Sequence, residues 1–199
     1  TSDTDRELQT HKPKIVVAGL GGGGGNTVDR IAERGISEVD MVAINTDQVH
    51  LNQIKADERI PIGKDITQGR GTGGSPDLGR RAAKNSEERF REVFRDADLV
   101  FLACGLGGGT GTGGAPVVAK IAKEEGAVVS GVVTMPFKVE KRDNIARKGL
   151  KDLREQADSV IVIDNNRLSE IASTMPMRYA FSMADEVLAR MVKGITETI

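Results

Sequence analysis

Residues 104–114 read Cys104-Gly105-Leu106-Gly107-Gly108-Gly109-Thr110-Gly111-Thr112-Gly113-Gly114, seven glycines and two threonines in eleven positions. An apolar run, Leu99-Val100-Phe101-Leu102-Ala103, leads in, and a helical pattern, Ala115 to Ala122, leads out. Strand, glycine loop and helix start together offer backbone N–H groups and a positive helix end to a phosphate. Glycine is also clustered elsewhere: of 24 in all, six lie in 19–25 and four in 69–74, against seven in 105–114. Apolar strand-like runs separate the clusters, so this is no low-complexity chain. Three glycine loops on one ordered scaffold suggest a single ligand held by backbone from several sides.

At 199 residues one domain is the default, with a sizeable core. A net charge of −1, from 28 basic and 29 acidic side chains, argues against nucleic acid as a partner. The apolar runs are far too short to span a bilayer, which argues against direct membrane insertion. Thr1 to Lys12 is polar and charged, unlike a signal peptide, and reads as a flexible arm. The lone Cys104 fits a reducing cytosol, and His11 and His50 have no cysteine cluster beside them, so a zinc site is not expected.

Strands and helices alternate along the chain. Lys14 to Ala18 reads as a strand ending in the loop 19–26, with a helix from Thr27 to Arg34 stopped by Gly35. A strand at 40–44, a short helix at 48–54 and a brief strand near 59–62 follow. After the polar loop 63–76, Ser75 can cap and Pro76 begin a helix over roughly 76–96. Further strands are expected at 98–103, 127–134 and 159–163, with helices from the glycine loop to Glu125, over 141–156, and from Asn166 to Ser173. Met177 to Ile199 has apolar residues recurring every three or four positions and reads as one long helix. The expectation is an α/β, three-layer, Rossmann-like fold: a mostly parallel sheet with helices on both faces, ending in a long central helix. Ligands on such sheets bind at the carboxyl ends of the strands.

Gly19-x-Gly21-x-x-Gly24 formally matches a dinucleotide fingerprint, so an NAD(P)-binding oxidoreductase is one alternative. A P-loop is excluded, because Gly63-Lys64 is followed by Asp65, not Ser or Thr. Gly107 to Gly113 is more specific. It matches the tubulin/FtsZ signature Gly-Gly-Gly-Thr-Gly-Thr/Ser-Gly. Asn45-Thr46-Asp47, Gly79 to Ala83, Val133 to Phe137 and Ala180 to Leu188 agree with that family in order and spacing. Residues 13–199 resemble the FtsZ branch more than eukaryotic tubulin.

The resemblance implies a GTP-binding domain over 13–176 and a core helix, 177–199, leading to a C-terminal domain beyond this chain. It implies GTP or GDP as ligand, with Mg²⁺ across the β- and γ-phosphates. Gly22, Gly23, Gly24, Gly25 and Asn26 would face the α/β-phosphates. Gly108, Gly109, Thr110, Gly111 and Thr112 would face the β-phosphate and beyond, and Thr72, Gly73 and Gly74 would sense the γ-phosphate. Glu140 would contact ribose, Phe181 would stack on guanine, and Asp185 would accept from its N1–H and N2–H groups. A carboxylate has only acceptors, so that pairing selects G over A. Standing alone, Phe181 would be a core residue, Asp185 a solvated acid, Asp47 a helix cap, Glu140 half of a surface ion pair and Cys104 a small core residue.

Two departures matter. The segment Glu140-Lys141-Arg142 is shorter than the family's by about two residues, so either Arg142 or Asn144 fills the arginine position. The acidic loop that the family supplies in trans for hydrolysis lies beyond Ile199. The resemblance thus implies a head-to-tail self-assembling GTPase of cell division, cytoplasmic and at the division site, with division-associated partners on the C-terminal region. This chain would bind GTP without catalytic residues of its own. An FtsZ paralogue serving cell shape is the nearer alternative.

Overall fold

The computed structural model describes residues 12–36, 38–171, 174 and 176–198. The chain runs β1 (Ile15–Leu20), α1 (Gly21–Glu33), β2 (Val39–Asn45), α2 (Gln48–Gln53), β3 (Glu58–Pro61), α3 (Lys64–Thr67), α4 (Pro76–Lys84) and α5 (Glu87–Phe94). It continues with β4 (Leu99–Gly105), α6 (Thr110–Glu124), β5 (Val128–Met135), α7 (Asp143–Gln156), β6 (Ser159–Asp164), α8 (Asn165–Ile171) and α9 (Met177–Thr198). The strands form one six-stranded sheet in the order β3-β2-β1-β4-β5-β6, and every pairing is parallel. The order reverses between β1 and β4, where an open α/β sheet leaves a crevice at its carboxyl edge.

Strand alternation sorts the core into two layers. On one face Val16, Ala18, Leu20, Val100, Leu102 and Cys104 pack with Phe90 and Phe94 of α5 and Val118 and Ile121 of α6. On the other, Val17, Ala43 and Phe101 meet Val28 and Ile31 of α1 and Ala189 and Val192 of α9. These runs are apolar at successive positions because helices cover both faces. Pro61 is tolerated because β3 is an edge strand.

Several expectations shift: the loop 63–76 contains the short α3, α8 begins at Asn165, and three further boundaries move for visible reasons. The first helix begins at Gly21, not Thr27, so the glycine run is its first turn and not a loop. Glycine disfavours helix by about 1 kcal/mol per residue, and packing overrides that here. A Cβ on Gly24 would overlap the Ala103 carbonyl oxygen, so only glycine lets this turn lie on β1 and β4. The expected helix 76–96 is two helices, broken at Asn85 and Ser86. The Ser86 hydroxyl donates to the Ala82 carbonyl at 3.2 Å, a local side-chain bond of the kind that competes with helix continuation. The helix expected from Lys141 starts at Asp143, because Lys141 is left-handed, with φ 54°.

Several local signals hold as read. Ser75 Oγ accepts from the Leu78 N–H at 3.4 Å with Pro76 in the first turn, and Asp47 Oδ1 caps α2 through the His50 N–H at 3.0 Å. Lys12 pairs with Glu38, whereas residues 1–11 of the expected arm, with His11, lie outside the described residues. No helix among the described residues is long and apolar enough to cross a membrane.

Candidate functional site

The carboxyl ends of β1, β2, β4 and β5 and the start of α8 line one cleft of about 590 Å³. Of the helices that begin at it, α1 and α6 bring glycine to its wall. Neither Leu20 before α1 nor Gly109 before α6 makes a side-chain cap, and neither helix has an acidic residue in its first turn. By contrast α4, α5 and α7 all carry an acid there. The uncapped N–H groups and positive ends of α1 and α6 are therefore left to whatever occupies the cleft.

Of the glycines expected at this point, Gly22, Gly23, Gly108, Gly109 and Gly111 line the cleft. Gly24 and Gly25 do not. Gly24 faces the Ala103 carbonyl, and a Cβ on Gly25 would sit 3.3 Å from His50 and 3.4 Å from Ile54. They let the helix approach its neighbours and do not touch the cleft.

The two threonines divide in the same way. Thr110 lines the cleft, and its hydroxyl is 2.7 Å from that of Thr46, tying α6 to the end of β2. Thr112 turns inward, is 4% exposed, and its Oγ1 accepts from the Gly107 N–H at 2.9 Å. It shapes the loop and is absent from the cleft wall, contrary to expectation.

Thr72, Gly73 and Gly74 form one rim, and Arg142 spans from it to the α6 loop. The Arg142 Nη1 donates to the Gly107 carbonyl at 3.0 Å, and a Cβ on Gly74 would lie 2.6 Å from that same nitrogen. Asn144 is exposed on α7, outside the cleft wall, so of the two candidates Arg142 faces the site. Glu140 lines the cleft too, with its Oε1 accepting from the Phe137 N–H at 2.9 Å.

Asp185 of α9 lines the cleft with its side chain 16% exposed, and its Oδ2 is 3.4 Å from Arg30 Nε of α1. Burial pushes its carboxyl above the ordinary 3.8, and Arg30 pulls the other way. The side chain of Phe181 lies outside the described residues. Cys104 is 1% exposed and burial pushes its thiol up to about 12, so it is a packing residue.

Sequence reasoning missed Asn165. It is 4% exposed, lines the cleft, and its Oδ1 has no hydrogen-bond partner among the described residues. In Asp164-Asn165-Asn166 it reads only as a turn. The signal is its place just past the carboxyl end of a parallel strand. Asn26 is expected there and does line the cleft, but its neighbours Asn45 and His50 carry no such expectation.

The order of these strands is shared with dinucleotide-binding sheets, so topology alone does not separate the two readings. Comparison with known proteins does. The profile of the Tubulin/FtsZ family, GTPase domain, matches residues 14–173. Cell division protein FtsZ 2 of Haloferax volcanii is 51% identical over 196 residues, 98% of this chain and 49% of that protein. A Methanocaldococcus jannaschii FtsZ dimer superposes with a TM-score of 0.91 at 48% identity, covering 99% of this chain and 59% of that one. CetZ2 of Haloferax volcanii, solved as a GTPγS-bound protofilament, gives 0.79 at 27% identity, over 92% and 57%. The chain spans about half the length of the curated relatives it matches. Its glycine-rich helix starts, its parallel sheet and its matched residues belong together: this chain is a member of the tubulin/FtsZ family and carries that family's GTPase domain.

Proposed function

We propose that the cleft binds GTP and GDP and that the whole protein is a filament-forming GTPase of cell division in the cytoplasm. The observation that carries this is the meeting of two uncapped, acid-free helix starts, α1 and α6, in one cleft. A diphosphate or triphosphate supplies acceptors to such N–H groups and negative charge to such dipoles. Gly22, Gly23, Gly108, Gly109, Thr110 and Gly111 would hold the β-phosphate end, and Thr72 to Gly74 with Arg142 would close on the γ-phosphate. Mg²⁺ would ride on the phosphate oxygens and supply charge neutralisation there.

Asp185 and the orphaned Oδ1 of Asn165 add acceptors to the cleft wall. Guanine offers N1–H and N2–H donors to such acceptors, whereas adenine's ring N1 is itself an acceptor. Phe181 would stack on the base, and Glu140 would face the ribose.

Hydrolysis would need a second copy. Among the described residues the cleft carboxylates are Asp47, Glu140 and Asp185, each with one oxygen held by a neighbour: the His50 N–H, the Phe137 N–H and Arg30. Val49 and Val139, each beside a cleft-lining residue, are exposed by 70% and 67%, which suits a mouth covered by another subunit. The division role is favoured over a cell-shape role by the 51% identity to a protein named for cell division. Calorimetric titration of this chain with GTP, GDP and ATP, beside phosphate release, tests the reading. Guanine nucleotides should bind about 100-fold or more tighter than ATP, with negligible turnover. Equal ATP binding, or brisk hydrolysis by the monomer, would overturn it.

A further inference from the structure

Asn45 ends β2 and is 4% exposed, and its Oδ1 accepts from the Asp47 N–H at 3.1 Å. A backbone N–H can only donate, so the oxygen end of that amide is fixed and Nδ2 is its donor end. Nδ2 lies 3.4 Å from Nδ1 of His50. Two N–H groups do not face each other, so Nδ1 accepts and the ring proton sits on Nε2. Nε2 is 3.1 Å from Oδ1 of Asn26. The Asn26 oxygen is thereby turned to the histidine, and its NH₂ group is left over on a residue that lines the cleft.

We infer that His50 is a positioning residue: held as the Nε2–H tautomer by Asn45, it turns the Asn26 amide so that the cleft meets an NH₂ donor and not a carbonyl oxygen. The inference rests on the nucleotide reading of the cleft, since the donor needs an acceptor on the ligand, an oxygen of phosphate or of the nucleoside. The opposite amide orientation would set an oxygen against those oxygens. The relay runs from the end of β2 through α2 to the exposed side of α1, so it couples the ligand to the Asp47 cap of α2. His50 N–H donates to that cap at 3.0 Å.

The tautomer is directly observable. The sequence has only His11 and His50, and His50→Gln identifies which signals belong to which ring. Long-range ¹H–¹⁵N spectra of the ligand-free chain should show His50 with Nδ1 bare and Nε2 protonated; the reverse tautomer overturns the inference. His50→Leu should weaken GDP binding about tenfold, the scale of one hydrogen bond to a charged or strongly polar acceptor. His50→Gln, whose amide NH₂ reaches the place of Nε2, should restore most of it. A Leu variant that binds as wild type, or a Gln variant as weak as Leu, overturns the inference. Running guanosine, GMP and GDP in parallel locates the acceptor: the loss begins with whichever ligand first carries it. An unchanged melting temperature separates positioning from support of the fold. Wild-type chain that binds no GDP would sink the nucleotide reading instead, and the tautomer would still stand or fall alone.

Discussion

The first turns of α1 and α6 both present glycine to the cleft, yet they are held there by different means. The α1 turn is glycine alone from 21 to 25, and it is seated by backbone contact with β1 and β4. The α6 turn carries two hydroxyls, one bonded across to Thr46 and one back to Gly107. It also leans on α4: a Cβ on Gly113 would overlap the Pro76 carbonyl oxygen. Within each glycine segment, the α1 turn and the loop leading into α6, the same division appears. A Cβ on Gly22 or Gly108 would meet nothing within 4 Å, whereas Gly24 and Gly113 have no room for one. Glycine is there for two unrelated reasons, open access on the cleft side and close packing on the other.

Alanine substitution separates those reasons and has the largest expected effect. Gly24→Ala and Gly113→Ala should each cost about 3 kcal/mol or more in urea unfolding, because backbone on both sides must shift. Gly22→Ala and Gly108→Ala should leave stability near wild type; for Gly22, inside a helix, it should rise by up to about 1 kcal/mol. Their cost should appear as GDP affinity, about tenfold weaker, from a methyl beside the N–H groups. Four variants that behave alike in both assays would erase the distinction.

The hydroxyls of α6 give the next largest effect. Thr112→Val keeps the shape and removes the acceptor for the Gly107 N–H, leaving a buried donor unpaired. Unfolding should cost about 1–3 kcal/mol. Affinity for GDP should then fall only as far as the loop loosens, because Thr112 itself does not line the cleft. A large loss of affinity at unchanged stability would return Thr112 to the ligand.

Why part of this molecule is legible in its sequence and part is not comes down to which forces leave a local trace. Continuous apolar runs and caps such as Asp47 and Ser75 are local, and the sheet and its helices follow from them. The seating of Gly24 against Ala103, 79 positions away in sequence, leaves no trace except a glycine. Propensity then points the wrong way, and places the start of α1 six residues late. Thr112 does not differ in pattern from Thr110, because one turn of helix decides which faces the cleft. Asn165 is marked in sequence only by its place after a strand, and it stands out once its oxygen is seen to be buried without a partner among the described residues. Arg142 is separated from Asn144 by its bond to Gly107, a contact across 35 positions.

The smallest expected effect concerns the far end of α1, which α6 has no counterpart for. Arg30 reaches Asp185, so α1 touches both the glycine end of the cleft and its acceptor end. Burial raises the Asp185 carboxyl above 3.8 and Arg30 restrains the rise. A raised folded-state value means that ionising Asp185 costs stability, and that cost grows as pH climbs from 3.8 through the raised value. On the nucleotide reading, ligand binding would run the other way, since guanine's N–H donors would favour the carboxylate. GDP affinity should therefore increase with pH across that interval and level off above it. Arg30→Met removes the restraint, so the same rise should be displaced to higher pH, with little change on the plateau. In an Asp185→Asn background, where nothing titrates at that position, Arg30→Met should move nothing. Superimposable pH profiles for wild type and Arg30→Met would show that α1 serves the cleft only through its glycines and Asn26.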